Sequence, residues 1–183
     1  MKGIIFNEFL DMVEEKFSLE IADHIIENSN LGSKGIYTAV GTYDHGEIVR
    51  LVQNLSTAVG VDIPSLLKIF GFHLFGRFHA TYPELFVGIK CPIQLLSKVE
   101  GVLHMEVKKL YMEASLPTFD YETVEPNKLS FVYASRHPFA DLAEGLICGC
   151  VDHFDADMDI LREDLGAKDG TSARFTVERR APS

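Results

Sequence analysis

The 183-residue sequence has no tryptophan and only three cysteines, and its 17 lysines and arginines are outnumbered by 27 aspartates and glutamates. Each shortage excludes something. Three thiols (Cys91, Cys148, Cys150) are an odd number and too few for a disulfide framework, so the chain is expected to be cytoplasmic with its cysteines reduced. The net charge of −10 hides no basic stripe: residues 1–91 carry 7 basic and 11 acidic side chains, and residues 92–183 carry 10 and 16. Counterion release from a phosphate backbone needs clustered Lys and Arg, so nucleic acid is not an expected partner. No run approaches the roughly 20 apolar residues of a membrane span. The opening Met1-Lys2-Gly3-Ile4-Ile5-Phe6 is interrupted by Glu8 and Asp11, too early for a signal-peptide core. Membrane association is therefore not expected. G-x-S-x-G, the Walker A loop, G-x-G-x-x-G and H-E-x-x-H are all missing too.

What is present is an ordinary folding composition, 46% apolar with 13 phenylalanines, of a length suited to one domain. Phe6, Phe9, Leu10 and Val13 recur at helical spacing between acidic residues. Ser18 precedes a second short helix running to about Glu27, and residues 28–33 read as a loop. Asp44 opens a helix carrying Ile48, Leu51, Val52 and Leu55; Asp62-Ile63-Pro64 starts another, apolar nearly all round, which faces several neighbours or a ligand. A long helix is expected from Pro92, with Leu95, Leu96, Val99, Val102, Leu103, Val107 and Leu110 as its stripe and Leu116-Pro117 as its stop. The period then changes to two at Leu129, Phe131 and Tyr133, which predicts a strand. A helix over about 139–154 and two strands near 158–165 and 173–179 complete the chain. The fold class is α+β: a helical N-terminal lobe over about 1–85, then a lobe with a small antiparallel sheet and helices over about 86–183.

Several motifs weaken when tested. Asp155-x-Asp157-x-Asp159 opens like a calcium loop, but Ile160 and Gly166 stand where Gly and Glu are needed, which leaves solvated strand-edge charge. Cys148-x-Cys150-x-x-His153 lacks a second ligand pair, and free cysteine in an apolar helix is usually a small core hydrophobe. The two glycines of Gly71-Phe72-His73-Leu74-Phe75-Gly76 read as close packing as readily as a phosphate site.

Two segments carry more. His104, in Gly101-Val102-Leu103-His104-Met105-Glu106-Val107, lies beside an apolar helical face with little bulk at Gly101. Tyr133-Ala134-Ser135-Arg136-His137 gathers hydroxyls and cationic or donor side chains at a strand end, a set suited to a carboxylate or phosphate, or simply to water. With these pieces in order, from Met1-Lys2-Gly3 through Val102–Tyr111, Ala114-Ser115-Leu116-Pro117, Tyr133-x-Ser135 and Ala143-Glu144-Gly145-Leu146, the whole chain resembles the heme nitric oxide/oxygen binding (H-NOX) domains, bacterial gas sensors related to the heme domain of soluble guanylate cyclase.

The resemblance implies a single domain with heme b (iron protoporphyrin IX) buried between its lobes. His104 would be the proximal iron ligand. Tyr133 and Ser135 would hold the propionates, and Pro117 would press on the porphyrin. Ile5, Phe78 and Leu146 would line its pocket. The motif's arginine position is His137, with Arg136 before it; histidine lacks the parallel fork of arginine, and on a strand the two would face opposite sides. Members that bind dioxygen use a distal tyrosine supported by polar groups, and those positions here are Leu142, Phe9 and Leu74. With no donor there, the resemblance implies selectivity for nitric oxide. Binding would break the bond to His104, let the heme relax and shift the lobes. A separate partner, a histidine kinase or a cyclic-di-GMP enzyme, would read that shift. No enzyme activity is expected: a heme enzyme would need distal acid–base groups. His137 is the feature that favours the alternative of a heme-free interaction domain. The family's zinc site needs three cysteines and a histidine, and this lobe holds only Cys148 and Cys150.

Overall fold

The computed structural model describes residues 1–112 and 114–180, so the last three residues of the expected domain lie outside the described ones. The chain divides into two compact units, Met1–Phe70 and a second from Gly71 onward. The division lies upstream of the boundary read from the sequence and inside a helix.

In the first unit, α1 (Gly3–Lys16) buries Phe6, Phe9, Met12 and Val13 completely, the i, i+3, i+6, i+7 face its sequence displays. α2 (Leu19–Asn28) is capped by the Ser18 hydroxyl, which accepts the Ile21 N–H at 3.3 Å. α3 (His45–Val59) is capped by Asp44 and ends on left-handed Gly60 at φ +70°. α4 (Ile63–Thr81) starts with Asp62 accepting the Ser65 N–H at 3.0 Å and crosses into the second unit. The loop over 29–44 is pinned by the buried Glu47, whose carboxylate accepts from the Ser33 amide and hydroxyl and from the Tyr37 hydroxyl. Burial pushes the Glu47 pKa up, but those hydrogen bonds outweigh it and the carboxyl ends below its ordinary value.

The second unit holds the end of α4, a 3₁₀ turn (Pro83–Phe86), α5 (Pro92–Leu96), a π-helical turn (Val99–Leu103), α6 (His104–Leu110), β1 (Thr118–Glu125), β2 (Lys128–Ala134), α7 (Ala140–His153), β3 (Met158–Asp164) and β4 (Ser172–Arg179). The strands form one antiparallel sheet in the order β1-β2-β4-β3. Leu129, Phe131 and Tyr133 of β2 and Ala173, Phe175 and Val177 of β4 turn one face inward, onto Ile147 and Cys150 of α7 and onto α5. α4 and α7 meet where side chains are missing: a Cβ on Gly71 would collide with the Leu142 carbonyl oxygen, and one on Gly149 would come within 2.8 Å of Phe75 Cβ.

Two expectations need correction. The helix expected to run unbroken from Pro92 to Leu116-Pro117 is three short pieces ending at Leu110. The Lys98 carbonyl accepts from both Val102 N–H (2.9 Å) and Leu103 N–H (3.1 Å), so the turn contains one residue too many for an α-helix. The extra residue rotates α6 relative to α5. Val102 and Leu110, read as part of one stripe, are exposed. Gly101 and the β-branched Val99 and Val102 make that turn a weak α-helix former. The other correction is β1, a strand absent from the expected elements although Phe119 and Tyr121 alternate with Asp120 and Glu122.

Candidate functional site

His104 is the first residue of α6, directly after the π turn. Its side chain is 13% exposed, and its Nδ1 lies 3.2 Å from Glu100 Oε2. Burial holds the imidazole below its ordinary pKa, against the opposing pull of Glu100. With Nδ1 facing the carboxylate, the tautomer that carries its proton there would leave the Nε2 lone pair available. Nε2 makes no hydrogen bond to any described residue. The ring stands edge-on to Phe119, with centroids 5.3 Å apart, and Phe119 in turn stands edge-on to Tyr133 at 5.9 Å. β1 thus brings His104 and the tyrosine motif onto two sides of one aromatic ring. Pro117, half-buried, lies immediately before that strand.

Tyr133 is fully enclosed in the sheet core, and burial raises its hydroxyl pKa. The Ser135 side chain lies beside that hydroxyl, and its Oγ accepts the His137 N–H at 3.1 Å. β2 ends at Ala134, so residues 135–138 bend and the opposite-face rule expected for Arg136 and His137 does not hold there. Arg136 is exposed, whereas His137 is half-buried with its ring 6.0 Å from that of Phe139. On α4 and α7, Leu74 is buried, and Phe78, Leu142 and Leu146 are half-buried. In the first unit, Phe9 is buried edge-on against Phe70 at 5.2 Å, and Ile5 is half-buried.

Two contributors are not apparent from the sequence. Glu100 is visible there only as a carboxylate one turn before a histidine. Arg162 of β3 is the cation whose field reaches Tyr133, but it is clamped by Asp141 (2.6 Å), Glu144 (3.0 Å) and Asp164 (2.7 Å). The weak motifs have ordinary partners: Asp157 and Asp159 pair with Arg180, and the His153 ring packs against His79 and Phe75. Burial pushes the Cys150 thiol up to about 12.

Among the described residues, no group of three or more His, Cys, Asp or Glu is arranged to hold a metal ion. An iron bound through His104 alone would therefore need its remaining in-plane ligands from a macrocycle. A sheltered imidazole whose Nδ1 already faces Glu100 fits that role.

Comparison with known proteins identifies the family. The family model described as Haem-NO-binding matches residues 2–162. An Fe(II) unliganded H-NOX protein from K. algicida is 40% identical over 100% of this chain and 98% of its own, with a TM-score of 0.93. The H-NOX of Shewanella woodyi, solved in the Fe(II)CO state with IWP-051 bound, is 37% identical over 98% of this chain and 95% of its own, TM-score 0.83. An S. oneidensis H-NOX protein in the Fe(II)NO state is 25% identical over 99% of this chain and 100% of its own, TM-score 0.89. No curated protein matches. The fold and the match define a heme-binding gas-sensor domain. The chain belongs to the Haem-NO-binding, or H-NOX, family.

Proposed function

We propose that this protein is a nitric oxide sensor that holds ferrous heme b through His104 and signals to a separate protein. The observation that carries the reading is the His104 side chain, only 13% exposed, with its Nδ1 3.2 Å from Glu100 Oε2. When bound, the heme would supply an iron able to take a diatomic gas. The remaining roles belong to the chain. His104 Nε2 binds the iron. The Tyr133 and Ser135 hydroxyls donate to propionate oxygens, helped by His137 and Arg136. Pro117 presses on the ring from the side of His104. Ile5, Phe9, Leu74, Phe78, Leu142 and Leu146 wall the cofactor and exclude water. Phe9, Leu74 and Leu142 offer no hydrogen to a polarised ligand, which favours nitric oxide over dioxygen. The partner is a cytoplasmic histidine kinase or cyclic-di-GMP enzyme, and the domain itself carries out no catalysis.

The test is the absorption spectrum of protein produced with added heme. A Soret band is expected in the wild type. His104→Gly is expected to lose it, or to keep it only with added imidazole. Unchanged iron ligation in His104→Gly rejects His104 as the ligand, and a wild type that takes up no heme favours a heme-free interaction domain.

A further inference from the structure

Glu100 does two things at once. Its Oε2 lies 3.2 Å from His104 Nδ1, and the same oxygen accepts the Phe119 backbone N–H at 3.2 Å. Phe119 is the second residue of β1, and its ring also meets the His104 ring. One carboxylate oxygen therefore joins the ligand's far nitrogen to the start of an edge strand. Residues 100 and 104 lie one turn apart across the π turn, and both reach β1. The Tyr121 hydroxyl does not compete for that oxygen, since it donates to the Leu96 carbonyl. The Glu100 side chain is 37% exposed, and that of His104 is 13% exposed. The contact is thus sheltered on the histidine side.

We infer that Glu100 is a positioning residue that sets the donor strength of His104 and couples the ligand to β1. This rests on the reading of His104 as the iron ligand. A carboxylate accepting the Nδ1 proton fixes the tautomer and ring plane. It also draws that proton away, which makes Nε2 a stronger donor; loss of such partners typically lowers metal affinity about 10- to 100-fold. When His104 moves, the shared oxygen has to re-aim, and the Phe119 amide feels it directly.

Glu100→Gln keeps the length and one acceptor oxygen for Phe119 and removes the charge. In the ferrous holoprotein, the iron–histidine stretching band is expected to move to lower frequency, and heme loss to a scavenger globin to speed up by about 10- to 100-fold. The circular dichroism spectrum is expected to stay the same. An unmoved band with unchanged heme loss overturns the proposal. Should the variant fail to fold, nitrogen NMR of His104 in the wild type decides: a proton on Nδ1 in a hydrogen bond supports the role, and a proton on Nε2 overturns it. His104→Gly separates the two levels. If it keeps its iron ligation, both readings fall; if it loses ligation while Glu100→Gln changes nothing, only the role of Glu100 falls.

Discussion

At position 137 a histidine occupies a bend where, on the proposed reading, an arginine would serve the propionates. Its backbone is fixed, with the N–H held by Ser135 Oγ and the carbonyl accepting from Phe139 N–H, so a replacement side chain starts from the same place. Arginine would add a planar fork and a permanent charge to the Tyr133 and Ser135 hydroxyls. Arg162 does not supply this already, because three carboxylates compensate its guanidinium. His137→Arg is therefore expected to slow heme loss, measured by transfer to a scavenger globin. Faster loss would show that the histidine makes a contact arginine does not replace. At this scale the order of the Tyr-x-Ser motif and His104 is legible in the sequence, because those residues lie close to the neighbours that give them meaning. Glu100 is not legible. Its partner Phe119 is 19 residues away, on a strand that periodicity alone does not announce.

The elements differ in how openly their sequences declare them. α1 to α3, α7 and β2 to β4 follow readable periods, helped by caps such as Ser18 and Asp44, while α4, apolar nearly all round, declares itself by its length and its Asp62-Ile63-Pro64 start. The stretch from Pro92 to Glu125 is not. Its apolar residues fit a single helix on paper, yet the π turn shifts the phase midway, and β1 shows only two half-buried rings among acids. The α4–α7 contact is half legible: Gly71 suggests close packing, but what it packs on appears only in the structure. There the Leu142 carbonyl and Leu146 amide occupy the space a Cβ would take. Gly71→Val is expected to push the helices apart and cost about 1–3 kcal/mol, read from urea unfolding. Because Leu142 and Leu146 move with α7, the same variant is expected to shift the absorption band of bound heme. Wild-type stability would show that the helices part at no cost.

For the whole molecule, the distinctive feature is what its apolar composition withholds. Phe9, Leu74 and Leu142, the proposed neighbours of the gas, are all hydrocarbon. The ferrous protein is expected to keep its unliganded spectrum in air-saturated buffer until it oxidises, and to respond to nitric oxide with loss of the His104 bond. A stable dioxygen spectrum would reveal a hydrogen-bond donor supplied from elsewhere. Of the 13 phenylalanines, Phe6, Phe9, Phe70, Phe131 and Phe175 are fully buried in the packed interior. The surface acidity has a use of its own. The sheet is open at both ends, at β1 and β3, and an open strand edge invites a second chain to add to it. β1 presents Asp120, Glu122 and Glu125, with its pairing interrupted at Glu122, and β3 presents Asp159, Glu163 and Asp164. Four of these carboxylates are already matched, Glu122 and Glu163 by Arg174, Asp159 by Arg180 and Asp164 by Arg162, which leaves Asp120 and Glu125 on β1 to repel a second copy. At the start of β1 the edge is closed in another way: Glu100 already takes the outward Phe119 amide, so a second copy adding a strand there would have to displace the carboxylate that faces His104.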